Sequence, residues 1–258
     1  MNKIKIISLL TIFFNLTLVF SHAPDEDCLQ NRKMCLPNEM RPFSGQQPLV
    51  QMDSRGDALA IWLKEGAIYS SSLCGTGSTY FNEKQEWTSA QLVAKSEKNL
   101  KNLSLAHNIK NGVADFHANY MLVWLEADVK GGTFVMTSSL PLSVGMWQTP
   151  QSIFHTGNKI NSLSVAVNSD NKAMIVWEEE VGVLTVIKST CRLTTGQWIF
   201  PQQLSSTDRF AAHPSVVMDE EGRSLVTWIR QDGENNTLES VILPADGSWV
   251  NPVDLALL

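Results

Sequence analysis

Gly196-Gln-Trp198-Ile-Phe-Pro201 is one of three copies of a Gly-x-Trp-x-x-Pro segment, the others being Gly145-Met-Trp147-Gln-Thr-Pro150 and Gly247-Ser-Trp249-Val-Asn-Pro252. Upstream of each stands a second tryptophan that closes an apolar run: Met121-Leu-Val-Trp124, Met174-Ile-Val-Trp177 and Leu225-Val-Thr-Trp228. Ala58-Leu-Ala-Ile-Trp62 and Trp87 supply a fourth pair, the latter without the proline. All eight tryptophans therefore fall into two interleaved series, with steps of 62, 53 and 51 residues in one and 60, 51 and 51 in the other. A unit of this length, repeated four times, marks a stacked or circular array.

Each unit opens on a short alternating run: Pro48-Leu-Val-Gln-Met-Asp53, residues 103–108, residues 162–168 and Pro214-Ser-Val-Val-Met-Asp219. Alternation of this kind reads as a first strand. An Asx residue (Asp53, Asn108, Asn168 or Asp219) then starts a turn, as in Asp53-Ser-Arg-Gly56, Asn168-Ser-Asp-Asn171 and Asp219-Glu-Glu-Gly222. Asx side chains close such turns, and Gly or Asn accepts the positive φ they require. One Asx per turn falls short of the six to eight oxygens calcium takes, so the turns are read as structural. The second unit carries an insertion of seven residues between Asn108 and Trp124. The run ending on tryptophan is a second strand, a β-branched segment further on is a third, and Trp-x-x-Pro opens a fourth, where proline suits an outer edge.

Four antiparallel strands per unit is the makeup of a β-propeller blade. The expected fold is all-β: a propeller of four blades, with repeats at about 48–102, 103–161, 162–212 and 213–258. Residues 24–47 precede them, and Met34-Cys-Leu-Pro37 has the cadence of an extra closing strand without its tryptophan. Four repeats allow a small closed ring, an open arc, or a ring completed by a second copy of the chain. The regular placement of Trp62, Trp87, Trp124, Trp147, Trp177, Trp198, Trp228 and Trp249 argues for packing between blades, since large aromatics dominate core energetics.

The cadence Pro-x-Val-x-x-Asp-x-x-Gly followed by Trp, then Gly-x-Trp-x-x-Pro, resembles the repeats of uncharacterised secreted bacterial propellers, distantly similar to sialidase-type propellers. The resemblance covers residues 34–258 and implies the fold. It implies no activity. The sialidase Asp box, Ser-x-Asp-x-Gly-x-x-Trp, is not matched, because Ser215, Asp219, Gly222 and Trp228 are spaced too widely.

Residues 1–23 combine Lys3 and Lys5 with an apolar run from Ile6 to Phe20 and end Ser21-His22-Ala23, the pattern of a secretory signal peptide. Export to the periplasm, cell surface or medium is the expected location. Beyond residue 23 there are 18 basic and 26 acidic side chains, a formal charge of −8, which disfavours nucleic acid and anionic membranes. No second apolar stretch long enough to span a bilayer follows. In an exported chain Cys28 and Cys35 are the expected disulfide, while Cys74 and Cys191, similarly placed in repeats one and three, are expected free. No Cys or His spacing fits a structural zinc site, and no cofactor motif occurs.

If the first strand of each blade runs down, the loops between second and third strands share an upper face with the links between blades. Those loops are expected to be the longer and more varied ones, and binding residues favour such positions. The candidates are Glu65, Glu126, Asp128, Glu178, Glu179, Arg230 and Asp232 from the loops, with Arg209 and His213 from the links. Glu65, Glu126, Glu178 and Asp232 would form an acidic ring. A non-catalytic binding or scaffold propeller for a protein or carbohydrate fits this pattern. The competing reading is a glycan-processing hydrolase of sialidase or glycosidase type, which needs paired carboxylates beside a pocket.

Overall fold

The computed structural model describes residues 48–52, 56–73, 87–108, 119–233, 235–244 and 251–257. All lie within the compact unit Ser44–Leu258. The signal segment, Cys28, Cys35, Pro37, Asp53, Cys74 and Trp249 lie outside the described residues.

Every regular element among them is a strand, and the strands form four antiparallel sheets in simple up-and-down order. Blade 1 is β1 (Leu49–Met52), β2 (Ala58–Lys64), β3 (Ala67–Leu73) and β4 (Gln91–Lys95). Blade 2 is β5 (Leu100–His107), β6 (Asn119–Ala127), β7 (Thr133–Pro141) and β8 (Gln151–Thr156). Blade 3 is β9 (Ile160–Val167), β10 (Ala173–Val181), β11 (Leu184–Arg192) and β12 (Gln202–Gln203). Blade 4 is β13 (Phe210–Met218), β14 (Ser224–Asp232), β15 (Asn235–Leu243) and β16 (Val253–Leu257). The chain has the expected β-propeller fold of four four-stranded blades.

The blades stack in series through their first strands, β1 beside β5, β5 beside β9 and β9 beside β13. Three apolar clusters fill the three seams. Leu59 and Ile61 of blade 1 meet Leu105, Leu122 and Trp124 of blade 2. Met121, Val123 and Leu125 of blade 2 meet Val165, Ile175 and Trp177 of blade 3. Met174 and Val176 of blade 3 meet Val216, Val226 and Trp228 of blade 4. Because strand side chains alternate between faces, each second strand offers its tryptophan to the blade before it and the intervening residues to the blade after it. Trp124, Trp177 and Trp228 are fully buried, one in each seam. In the second series, Trp147 and Trp198 pack at the edges of the first and second seams, and the Trp147 Nε1–H reaches Ser70 Oγ of the preceding blade at 2.8 Å.

The turns after the first strands follow the expected chemistry. Gly56, Asn171 and Gly222 have φ of 86°, 61° and 86°. Asn168 Oδ1 accepts the backbone N–H of Asp170 at 3.1 Å and of Lys172 at 3.0 Å, and Asp219 Oδ1 accepts that of Arg223 at 2.8 Å. Neighbouring turns interlock, Asn168 Nδ2 donating to the Glu220 carbonyl at 3.1 Å and Asn108 Nδ2 to Asn171 Oδ1 at 3.2 Å. Cys191 carries a free thiol, half-buried against the third cluster, and burial pushes its pKa up.

Two features depart from expectation. The second strands run on past their tryptophans by two to four residues, so three of the upper hairpins reduce to two-residue turns, between Lys64 and Ala67, Val181 and Leu184, and Asp232 and Asn235. Glu65 and Gly66, at φ of 50° and 73°, make the first of these, the backbone that matches the twist of paired strands. Only blade 2 has a longer upper loop, residues 128–132. Longer connections leave from the opposite end, at residues 142–150 and 193–201. The first strands of blades 2, 3 and 4 also begin earlier than their alternation suggests, because each crosses a β-bulge.

Asn168 is buried and bonded at both ends of its amide, so Asn168→Ala strands two turn N–H groups and a carbonyl of the next blade. We expect a loss of about 1–3 kcal/mol. It is read as a lower denaturant midpoint at unchanged slope.

Candidate functional site

The second strands place their carboxylates first. Glu126 lies two residues after Trp124 on β6, and Glu179 two residues after Trp177 on β10, so each shares the face of its tryptophan. The Trp124 indole N–H donates to Glu126 Oε1 at 3.2 Å, and that of Trp177 to Glu179 Oε2 at 2.8 Å. Each carboxylate also holds the link from the preceding blade. Ser96 Oγ donates to Glu126 at 3.3 Å, while Thr156 Oγ1 and Asn158 Nδ2 donate to Glu179 at 2.9 and 2.8 Å. Lys188, directly opposite Trp177 on β11, completes the set with an ion pair to Glu179 at 2.9 Å.

Blade 4 builds the same device with its charges exchanged. Arg230 stands two residues after Trp228, and Glu239 stands opposite Trp228. The indole N–H donates to Glu239 Oε2 at 2.6 Å, and Arg230 bonds both Glu239 and Asp254. Glu239 thus takes the place of Lys188, and Arg230 that of Glu179.

These contacts correct several sequence expectations. Glu126, Glu178, Glu179, Arg230 and Asp232 belong to strands rather than loops, and Glu126, Glu178 and Glu179 are buried, which takes Glu126 and Glu178 out of the exposed acidic ring expected with Glu65 and Asp232. The strands extend because their polar ends find partners in the links. Glu65 sits in the tight turn of blade 1, and Arg209 in the bend before β13, 3.9 Å from Asp208. Asp128 occupies the one longer upper loop and pairs with His155 Nε2 at 2.9 Å. The backbone N–H of Lys130 and the His155 ring hold its carboxyl below the ordinary range. His155 packs on Phe134, over whose ring Lys98 Nζ lies at 3.9 Å.

Glu178 points the other way from Glu179, toward blade 4. Its carboxylate accepts Asn161 Nδ2 at 3.1 Å, Ser162 Oγ at 3.3 Å and the backbone N–H of His213 at 3.2 Å. These donors sit on the bulges of the first strands. Blade 2 is bulged between Lys101 and Ser104, blade 3 at Asn161, and blade 4 between Ala212 and Ser215. Asn102 and His213 adopt φ of 52° and 55°, and the Asn102 side-chain amide donates to the Asn161 carbonyl. Non-glycine residues in that region are uncommon and concentrate at ligand-binding and switch sites. Beside them Lys159 pairs with Glu180 at 2.7 Å. Burial, with the nearby Lys159 charge, lowers the pKa of Lys101.

The upper end of the first strands therefore gathers Lys101, Asn102, Lys159, Asn161, Glu178 and His213. Of these, Glu178 and His213 were among the residues expected from the sequence. Asn102 and Asn161 escaped notice because a bulge breaks the alternation that identifies a strand face. At the opposite end, a cavity of about 220 Å³ between blades 1 and 2 is lined by Ser70, Ser71, Ser72, Thr88 and Gln91 with Leu59, Leu140 and Gly145. That is smaller than ordinary ligand pockets, which start near ~300 Å³. Among the described residues, no three His, Cys, Asp or Glu side chains form a metal-holding group, and no helix is long and apolar enough to cross a membrane.

No family model matches the chain, and no curated protein matches it in sequence. Solved structures do match. A polysaccharide lyase of family PL25, an ulvan lyase bound to -[GlcA(1-4)Rha3S]-, superposes with a TM-score of 0.57 at 10% identity, covering 86% of this chain and 57% of its own. A second structure of an ulvan lyase of that family gives 0.58 at 9% identity with the same coverage. A protein of unknown function from Dyadobacter fermentans gives 0.55 at 11% identity, covering 82% of this chain and 65% of its own. The chain spans less than two thirds of the length of each. The likeness is one of fold: this is a β-propeller with a bulged polar mouth on its first strands.

The Glu179 carboxyl supplies a pH test. Burial raises its pKa, but the bonds from Trp177, Asn158, Lys188 and Thr156 outweigh burial and hold it below the ordinary value. A depressed carboxyl contributes stability that is fully present above its unfolded pKa of about 4.3 and is lost as pH falls through the folded value. Glu179→Gln should lower Tm at pH 7 and flatten the fall in Tm below about pH 5, measured by thermal unfolding across pH. A second comparison uses the exchange seen in blade 4. Lys188→Glu alone sets two carboxylates together and destabilises, whereas adding Glu179→Arg should recover most of the loss in unfolding midpoint.

Proposed function

We propose that this chain is an exported, non-catalytic propeller that binds a carbohydrate at the bulged mouth of its first strands. The observation that carries the reading is the repetition of the bulge in blades 2, 3 and 4 at one level, with Asn102 and His213 in left-handed backbone conformations. Amide, imidazole, ammonium and carboxylate groups at one strand end suit the hydroxyls of a sugar. The signal-like N-terminal sequence supports export, and the fold it shares with a lyase bound to a uronic-acid-containing oligosaccharide supports a glycan as ligand.

The arrangement of carboxylates speaks for binding over cleavage. A glycosidase of the usual kind places two carboxyl groups on either side of one bond. Glu178 and Glu179 are consecutive on β10 and so project to opposite faces. Glu179 is held by four donors inside a seam, and Glu178 by three at the bulges.

The test is a glycan array on the secreted chain, run beside lyase and hydrolase assays on the same polysaccharides. We expect binding without turnover, and about a ten-fold loss of affinity in His213→Ala or Asn161→Ala, the effect of one or two lost hydrogen bonds. Turnover abolished by Glu178→Gln would establish an enzyme instead.

A further inference from the structure

Four blades in series have three seams, which leaves two seam-forming faces at the ends. Each shows residues that the repeat buries elsewhere. On the leading face of blade 1, Val50 and Met52 are 59% and 60% exposed. Val50 pairs with Ala60, two residues before Trp62. The residues at its place in the other blades, Leu105, Val165 and Val216, are all buried in seams. On the trailing face of blade 4, Leu225 is 39% exposed and Ile242 58%. The counterparts of Leu225 are Leu59, Met121 and Met174, again all buried in seams.

The trailing face is uniform as well as open. Direct pairing puts Val217, Leu225 and Ile242 in one row, Ser215, Thr227, Ser240 and Val253 in the next, and Ala212, Ile229, Leu238 and Ala256 in the third. No charged side chain interrupts these rows. Among the described residues no apolar cluster joins blade 4 to blade 1.

A hydrogen bond repeats along with the apolar contacts. Ser104 Oγ of blade 2 accepts the Val165 backbone N–H of blade 3 at 3.2 Å, and Ser164 Oγ of blade 3 accepts that of Val216 at 3.4 Å. Ser215 holds the same position in blade 4, its hydroxyl exposed, and Val50 holds the donor position in blade 1.

We infer that the trailing face of blade 4 docks on the leading face of blade 1 of a second copy, so that two chains close one eight-bladed ring. The occupant follows from continuity with the three seams already built, since that face of blade 1 is the surface this chain makes in the same repeat to receive it. Two copies form two identical seams, with Leu225 and Ile242 covering the partner's Val50 and Met52, and the Val50 N–H meeting the partner's Ser215. A four-stranded face of six or seven residues measures about 400 Å² at ordinary strand spacing and rise. Two seams therefore bury about 1,600 Å², the size of a standard stable interface. Trp62, on the same face and stacked on Tyr69 at a ring separation of 6.0 Å, is 6% exposed in the single chain, so the new contact on blade 1 falls on Val50 and Met52.

The experiment is the mass of the secreted chain in solution, by sedimentation or light scattering, for wild type, Val50→Lys and Leu225→Glu. Both positions are exposed in the single chain, so each variant should keep its fold, checked by far-ultraviolet circular dichroism. Wild type is expected at twice the chain mass, and each variant alone at the chain mass, with the dimer dissociation constant raised at least a hundred-fold. Mixing the two variants should restore the doubled mass, because one seam of the mixed pair is unaltered and the other sets opposite charges together. Three results would overturn the inference: a wild type of single-chain mass at every concentration, dissociation by Leu225→Glu but not by Val50→Lys, or a doubled mass that appears only after residues 24–47 are deleted. The second would mark face-to-face pairing of blade 4, the third a face covered by the chain's own N-terminal segment.

Discussion

The indole N–H groups of the three tryptophans that fill the seams each find an acceptor, and that bond organises each seam. Trp124, Trp177 and Trp228 lie at zero exposure between blades, where an unbonded donor costs about 1–3 kcal/mol. The acceptor in every case is a carboxylate, which is itself expensive to bury unless it is bonded on its other sides. In blades 2 and 3 it recruits a hydroxyl or an amide from the link that enters the blade, and in blades 3 and 4 it pairs with a cation from the blade's own strands. One apolar choice in the second strand thereby fixes the crossover between blades. It also explains why Ser96 and Thr156 recur at equivalent places, each capping its own link through a backbone N–H two residues on.

The same constraint leaves the sequence freedom that obscures the repeat. Two positions flank the indole, one two residues after it on the second strand and one opposite it on the third. Blade 3 fills them with Glu179 and Lys188, and blade 4 with Arg230 and Glu239. The indole is satisfied either way, because both positions lie on its face within reach of Nε1. An alignment by residue type would see no likeness between Glu179 and Arg230.

The fold was legible because tryptophan spacing and Asx-Gly turns report on backbone geometry directly. The positive φ of Gly56, Asn171 and Gly222 is what that turn chemistry demands. The site was less legible for two physical reasons. Acidic residues after an apolar run look like the start of a loop, yet Glu126 and Glu179 continue the strand, since their carboxylates have partners that a sequence does not display. The parity was available all the same. A residue two places from a seam-facing tryptophan must face the seam, which separates Glu179 from Glu178 without a structure. The bulges were not available, because the extra residue shifts the two-residue period at Asn102, Asn161 and His213, where it would have had to be read.

Those bulges depend on the seams. Asn102 and His213 each hold a backbone conformation that costs about 1–3 kcal/mol for a side chain larger than glycine. A fully buried tryptophan removes roughly 150–250 Å² from water. At about 25 cal/mol per Å² that is worth about 4–6 kcal/mol as an upper estimate. Three such seams outweigh two strained residues, and they do so at the strands on which the bulges sit. The polar mouth is consequently set before any ligand arrives. Glu178 shows the coupling most directly, since one carboxylate on a second strand fixes Asn161 in its own blade and the backbone of His213 in the next. A ligand at this mouth would meet groups whose ordering has already been met by blade packing, so little of its binding energy would be spent on shaping the site.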